Sequence, residues 1–272
     1  MFLQRAVVTL IMGPLALYII YLGGWFYFLP ITAVLLLATI EYTNLLHHIG
    51  RRMSNYVLLP LVLLLLISAQ WNGRFLFTFT FFISLFIILV YALWLYEKEH
   101  TTNAIADWMA MTGGVVLIGW LGSHFLHLRG IEQMAWQWTM LAMLSAWITD
   151  SGAYVVGRFL AGTILGRHQL APRLSPNKTV EGYVGGIILA TAVILPVANI
   201  LQLPLGPSLL LVLLVSSLSV FGDLGMSLLK REASFKDSGT LFPGHGGALD
   251  RIDSLVWSVA LAYYLSLFLN LT

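Results

Sequence analysis

Residues 74–96 read RFLFTFTFFISLFIILVYALWLY, one arginine followed by twenty-two residues without a charge. A bilayer core is crossed by about 20 apolar residues of α-helix, the only single-segment structure that pairs every backbone group in hydrocarbon. Outward from this run the pattern recurs near 4–22, 25–47 and 54–70 on one side, and near 103–122, 133–159, 179–200, 206–230 and 249–270 on the other. The expected fold is therefore an all-α polytopic membrane protein of about nine transmembrane helices. Composition agrees, since the 272 residues are 59% hydrophobic and 10% charged, against about 25% charged in a soluble domain. Mean hydropathy is +0.87. The first run has one arginine ahead of it, as a signal peptide would, but Tyr21-Leu22-Gly23 offers no small-x-small cleavage pattern, and it is read as a retained helix. With no cysteine in the chain, disulfides, thiolate catalysis and Cys-ligated metal sites are excluded.

The basic residues choose the orientation. With nine spans, Arg5, Arg51, Arg52, Lys98, Arg158, Arg167, Arg173, Lys178, Lys230, Arg231, Lys236 and Arg251 share the side of the amino terminus, and only Arg74 and Arg129 lie opposite. By the positive-inside rule the amino terminus and the 160–178 and 231–248 loops are expected in the cytoplasm, and the carboxyl terminus outside. Trp25, Trp71 and Trp94 fall near span ends, where interfacial aromatics belong.

The two halves differ in kind. Residues 1–145 read as scaffold helices and 146–272 as a catalytic transmembrane region with cytoplasmic loops, the whole forming one integrated membrane domain. After residue 145 come Asp150, Glu181, Asp223, Glu232, Asp237, Asp250 and Asp253, many within or at the ends of expected helices. Ionisable residues placed there are costly and by default functional candidates. Asp250 and Asp253 stand three apart, on one face of a continuous helix. Two carboxylates so placed repel unless a cation or proton intervenes, and hard oxygens at a membrane boundary suit Mg²⁺. Ahead of them His245, Gly246 and Gly247 lead into a helix start, where backbone N–H groups favour an anion. The competing reading is an acid pair that merely satisfies the helix dipole. Asp223 needs a partner, and Lys230, two turns along the same helix with Arg231 beside it, is the expected one. Asp150 poses the same question in the sixth span, among small residues that let another helix approach.

The loop before the seventh span carries Arg173, Ser175, Asn177, Lys178 and Thr179 between and after two prolines, then Glu181. It is expected to be an extended polar strip whose Lys, Arg, hydroxyl and amide groups suit phosphates. Taken alone, such a loop also serves to set topology or to touch anionic lipid. Gly182 to Gly186 and Gly162 to Gly166 match the small-xxx-small pattern of close helix packing. His47, His48, His100, His124 and His127 recur at no metal spacing. Walker, GxGxxG, HExxH and GxSxG motifs are all missing. Acids for divalent cations, and bases and backbone donors for phosphates, leave phosphoryl or nucleotidyl transfer with one lipid reactant as the chemistry these residues allow. A membrane kinase acting on a polyprenol or phytol, and a cation-coupled transporter using Asp150 and Asp223, are the alternatives.

Ser227-Leu228-Leu229-Lys230-Arg231, Lys236-Asp237-Ser238-Gly239 and Pro243-Gly244-His245-Gly246-Gly247-Ala248-Leu249-Asp250-Arg251-Ile252-Asp253 together resemble the signature of the phosphatidate cytidylyltransferases, the CDP-diacylglycerol synthases. Ser175 to Gly182 and the surroundings of Asp150 resemble further motifs of that family, so that the likeness covers residues 145–272. It implies CTP and phosphatidate as substrates, CDP-diacylglycerol and pyrophosphate as products, Mg²⁺ with K⁺ as a second cation, and a homodimer; compactness and the positive-inside bias point to a bacterial inner membrane, with the active site facing the cytoplasm. By the same resemblance Asp223, Asp250 and Asp253 hold metal. Arg173, Ser175, Asn177, Lys178, Thr179, Glu181, Lys230, Arg231, Lys236, His245, Gly246, Gly247 and Arg251 hold substrate, and Asp150, Lys178, Asp223, Lys230, Arg231 and Asp250 carry catalysis.

Overall fold

In the computed structural model, which describes residues 2–71, 74–241 and 246–270, helix dominates. Each of the nine apolar runs coincides with helical structure among the described residues. Five of these helices are long and apolar enough to cross a membrane: Gly24–His48, Phe75–Glu97, Ala104–Arg129, Val180–Ile200 and Leu205–Glu232. Ile11–Leu22 and Asn55–Gln70 are shorter apolar helices. The chain divides into two compact units, one of Met1–Gly130 with Leu229–Ile252, the other of Ile131–Leu228 with Asp253–Thr272. In the first unit the segment from Leu229 to Ile252 packs with the amino-terminal helices.

The first unit contains α1 (Phe2–Leu22), α2 (Gly24–His48), α3 (Asn55–Gln70), α4 (Arg74–Glu97), and α5 (Ala104–Gly114), which runs through a π-turn at Val115–Trp120 into α6 (Leu121–Arg129). Its core is built on α3, whose Leu58, Val62, Leu65 and Leu66 are fully buried, as are Met111, Val115 and Ile118. Lipid supplies no hydrophobic drive between helices, so close packing on small residues takes its place. A Cβ on Gly119 would lie 2.7 Å from Leu65, and one on Gly122 2.8 Å from Leu35. Arg129, one of the two basic residues expected opposite the majority, closes the end of α1. Its Nε donates to the Ile20 carbonyl at 2.8 Å and its Nη2 to that of Tyr21 at 3.3 Å.

The second unit contains α7 (Ala135–Val155), extended by a π-turn at Val156–Leu160, then β1 (Gln169–Ala171) and β2 (Ser175–Thr179), α8 (Val180–Ile200), α9 (Leu205–Glu232, its last residues belonging to the first unit) and, after α10 (Leu249–Ile252) of the first unit, α11 (Leu255–Phe268). Gly182 and Gly186 lie on α8 where it crosses α7, and a Cβ on either would stand 2.7 Å from a backbone carbonyl, of Ala153 and Thr149 respectively. Gly162 and Gly166 do not form a second such crossing. They lie in a loop, Gly162 at φ +82° with its N–H on the Leu165 carbonyl at 2.9 Å.

Two further expectations are corrected. The fold is not wholly α, because β1 and β2 form an antiparallel hairpin pairing Gln169 with Thr179 and Ala171 with Ser175. Strands of three and five residues flanked or interrupted by proline carry no periodic signal. The final helix is also not continuous, so Asp250 and Asp253 do not share one helical face. α10 stops at Ile252 and α11 starts at Leu255. The Asp253 carboxylate takes the Ser254 N–H at 2.7 Å, the donor that an unbroken helix would direct to residue 250.

Gly186→Leu should overpack the α7–α8 crossing and cost about 1–3 kcal/mol or more, read as a lower apparent Tm and less monodisperse protein in detergent. Gly206→Ala, which meets nothing within 4 Å, should leave both unchanged.

Candidate active site

In the second unit the hairpin delivers Lys178 to α9, where its ammonium pairs with the Asp223 carboxylate in a short contact. Each side chain is 26% exposed. Asp223 therefore has its partner on β2 and not, as its helix suggested, in Lys230. Among the described residues the other Asp223 oxygen takes the Ser227 hydroxyl, at 3.4 Å. A Cβ on Gly222 would lie 2.6 Å from the Asp253 carbonyl, so that α9 meets the 253–257 turn closely beside Asp223. Asp150 accepts from the Ser254 hydroxyl at 3.3 Å. Thr179 is buried and caps α8, accepting from Gly182 N–H at 3.0 Å. Glu181 holds His168 by the ring at 2.6 Å and by the backbone N–H at 3.1 Å. Arg173 and Asn177 are exposed on the hairpin and Ser175 is half-buried.

The first unit holds a second lysine–aspartate pair. Lys230 Nζ donates to Asp250 Oδ1 at 2.6 Å, the side chains 9% and 7% exposed. Asp250, on the short α10 ahead of the last apolar helix, accepts at Oδ2 from Ser238 N–H at 2.7 Å, Ser238 hydroxyl at 2.9 Å and Gly247 N–H at 3.0 Å. Burial pushes this carboxyl up, but the Lys230 hydrogen bond, the Gly247 and Ser238 amides and the lysine's charge outweigh it and hold it below the ordinary carboxylate value. Gly246, at φ +79°, is required by contact as well as conformation, since a Cβ there would collide with Asp250 Oδ2. Arg231 donates to the Phe235 carbonyl at 3.1 Å, Lys236 and Arg251 are exposed, and His245 lies outside the described residues.

One carboxylate at this place escaped the sequence reading altogether. Glu41, on α2 in the half expected to be scaffold, accepts from Ala248 N–H at 2.9 Å, Leu249 N–H at 2.8 Å and the Ser238 hydroxyl at 2.7 Å. At the start of α10 the Gly247 N–H is thus taken by Asp250, and those of Ala248 and Leu249 by Glu41. An acid in an apolar helix was the available signal, and Glu41 is the only acid between residues 23 and 48. Among the described residues, no three His, Cys, Asp or Glu side chains gather at metal-binding separation.

A model of the cytidylyltransferase family matches residues 3–269. The chain is 41% identical to a phosphatidate cytidylyltransferase of Bacillus subtilis (strain 168), the alignment covering 57% of this chain and 56% of that protein. It is 40% identical to one of Staphylococcus saprophyticus, over 53% and 54%. These two alignments span about half the length of each relative. A third phosphatidate cytidylyltransferase, of Synechocystis sp., is 33% identical over 96% of this chain and 95% of its own.

Removing one partner of a buried pair strands the other, at about 3–5 kcal/mol, whereas an exposed pair is worth about 1 kcal/mol or less. Lys230→Met should therefore lower the apparent Tm in detergent far more than Lys178→Met. Because the Asp250 carboxyl is depressed, its stabilisation is complete above 3.8 and is lost as pH falls through the lower folded value. The Tm gap between wild type and Asp250→Asn should stay constant from about pH 8 to 5 and close below about pH 4.

Proposed function

The chain belongs to the cytidylyltransferase family, and from that membership we propose that it is a phosphatidate cytidylyltransferase, converting CTP and phosphatidate to CDP-diacylglycerol and pyrophosphate. The observation that carries the reading is the pair of lysine–aspartate contacts, Lys178–Asp223 and Lys230–Asp250, of which Lys178, Lys230 and Asp250 lie on stretches that resemble the family's motifs. A lysine is a mobile point charge suited to polyphosphate, and an aspartate supplies hard oxygens. Pairing them neutralises both until a nucleotide arrives.

Mg²⁺, with K⁺ as a second cation, is the proposed cofactor, with Asp223, Asp250 and Asp253 as its ligands. Asp223 fits this role best, since it is part-exposed and held by one lysine and one long hydroxyl contact. Asp250 is already held by Lys230, Ser238 and Gly247, and would ligate beside or in place of one of these donors. When bound, the ion screens the negative charges of two anionic reactants and of the departing pyrophosphate. Lys178, Arg173, Asn177, Ser175, Thr179 and Glu181, together with Lys230, Arg231, Lys236, His245, Gly246, Gly247 and Arg251, are the proposed groups for the phosphates of CTP and of the lipid, with Asp150 among the catalytic set. A phosphatidate oxygen forms its bond to the α-phosphorus of CTP as the bond from that phosphorus to the bridging oxygen breaks. The attacking oxygen is already an anion, so the protein contributes alignment and charge neutralisation, without a covalent enzyme intermediate.

The proposal includes nine spans with a cytoplasmic amino terminus, a site on the cytoplasmic face of the bacterial inner membrane, a carboxyl-terminal catalytic region after residue 145, and a homodimer. The basic-residue asymmetry supports the orientation.

With phosphatidate and Mg²⁺, label from α-labelled CTP should enter the lipid phase and EDTA should stop it. Lipid labelled instead from γ-labelled CTP would make the protein a kinase. Asp223→Asn and Lys178→Met should each lower turnover about 100-fold or more. For topology, the absence of native cysteine allows single probes. Thr102→Cys should react with an impermeant maleimide only in inside-out vesicles, and Glu132→Cys only in right-side-out ones; the reverse pattern overturns the orientation.

A further inference from the structure

Resting on the cytidylyl-transfer reading, we infer that Glu41 is a positioning residue for that reaction: from the amino-terminal helices it sets Ser238 and residues 247–250 so that Asp250 and Lys230 are held in one arrangement.

The need for such a group follows from α10. Four residues make a single turn, which has no stability of its own. Its place is decided by what its leading N–H groups bind. Three consecutive donors stand there, and two carboxylates divide them: Gly247 N–H goes to Asp250, while Ala248 and Leu249 N–H go to separate oxygens of Glu41. Ala248 and Leu249 are 0% and 1% exposed, so without Glu41 their donors would be buried and unpaired. The remedy nearest to hand is the Asp250 carboxylate itself. Glu41 thereby leaves Asp250 to Lys230 and to the Ser238 and Gly247 amides.

The Ser238 hydroxyl lies between the two acids, 2.7 Å from Glu41 Oε2 and 2.9 Å from Asp250 Oδ2, with one proton to give. It links the two carboxylates directly. Packing fixes the same placement independently of hydrogen bonds. A Cβ on Gly239 would lie 2.5 Å from Glu41 Oε1, and one on Gly247 would collide with the same carboxylate. The glycines at 239 and 247 are thus small because Glu41 passes between their backbones. Glu41 touches backbone and Ser238, and acts on the reaction only through Asp250 and Lys230.

The test uses the full chain in detergent with α-labelled CTP and phosphatidate, and hydrogen exchange over residues 246–250. Glu41→Gln preserves size but turns one acceptor into a donor facing donors. It should lower kcat about 100-fold with KM for CTP within about 3-fold, and speed exchange of the Ala248 and Leu249 amides at least about 10-fold while α3 is unchanged. Ser238→Ala, which leaves both amide bonds to Glu41, should cost less than about 10-fold in kcat. A kcat for Glu41→Gln within about 3-fold of wild type per folded molecule, even with a lowered Tm, overturns the inference, and so does unchanged exchange. Should Glu41→Gln not fold, Glu41→Asp is read by the same measurements, with a fall of about 10-fold in kcat expected and one under about 3-fold overturning. If the wild type transfers no label from CTP, the functional reading falls by itself. Exchange in Glu41→Gln then decides the positioning claim, faster exchange supporting it and unchanged exchange defeating it.

Discussion

A carboxylate removed from water must find hydrogen-bond donors or a cation, or give up its charge. In the first unit that requirement organises structure far beyond the residues concerned. Asp250 and Glu41 between them consume the lysine at the end of α9, the hydroxyl of Ser238, and four backbone N–H groups of Ser238, Gly247, Ala248 and Leu249. The placement of Ser238 and of residues 246–250 is the consequence. Gly239, Gly246 and Gly247 are where a carboxylate approaches backbone too closely for a side chain, and the four-residue α10 is held because the N–H groups at its start are met by carboxylates.

The two lysine–aspartate pairs use one chemistry under different solvation. Lys178–Asp223 is a quarter exposed and its acid has a nearly free second oxygen, so exchange of partners costs little. Lys230–Asp250 is buried and its acid also takes the Ser238 and Gly247 amides, so it is expensive to take apart. Under the proposed reaction the first pair is the one suited to opening around a nucleotide, and the second to holding a fixed charge pattern.

How much of this was legible in the sequence depends on the range over which each signal acts. Spans are one-dimensional, and a run such as 74–96 announces its helix by composition alone; all nine runs coincide with helices among the described residues. Gly182 and Gly186 were also readable, because helical spacing places both on one face. Partner choice was not. Asp223 and Lys230 share a helix, and proximity along the chain suggested a pair, yet the partner of Asp223 is 45 residues earlier and that of Lys230 is 20 later. The break between Asp250 and Asp253 was hidden for a related reason. The spacing was right for a helix face, and only the capture of Ser254 N–H by Asp253 ends it.

Glu41 shows the same limit at its furthest, 207 and 208 residues from the amides it binds. No motif contains it, and its neighbours on α2 are those of an ordinary span. Yet hydropathy did hold a clue, because an acid in an apolar helix costs several kcal/mol unless something answers it. The answer here is backbone N–H from a glycine-rich turn, a partner with no side-chain signature. The signature stretch 236–253 accordingly cannot be read as self-contained. Gly239, Gly247, Ser238 and α10 are shaped around a carboxylate supplied by the amino-terminal half, so those helices contribute to the candidate site's geometry as well as to its anchoring in the membrane.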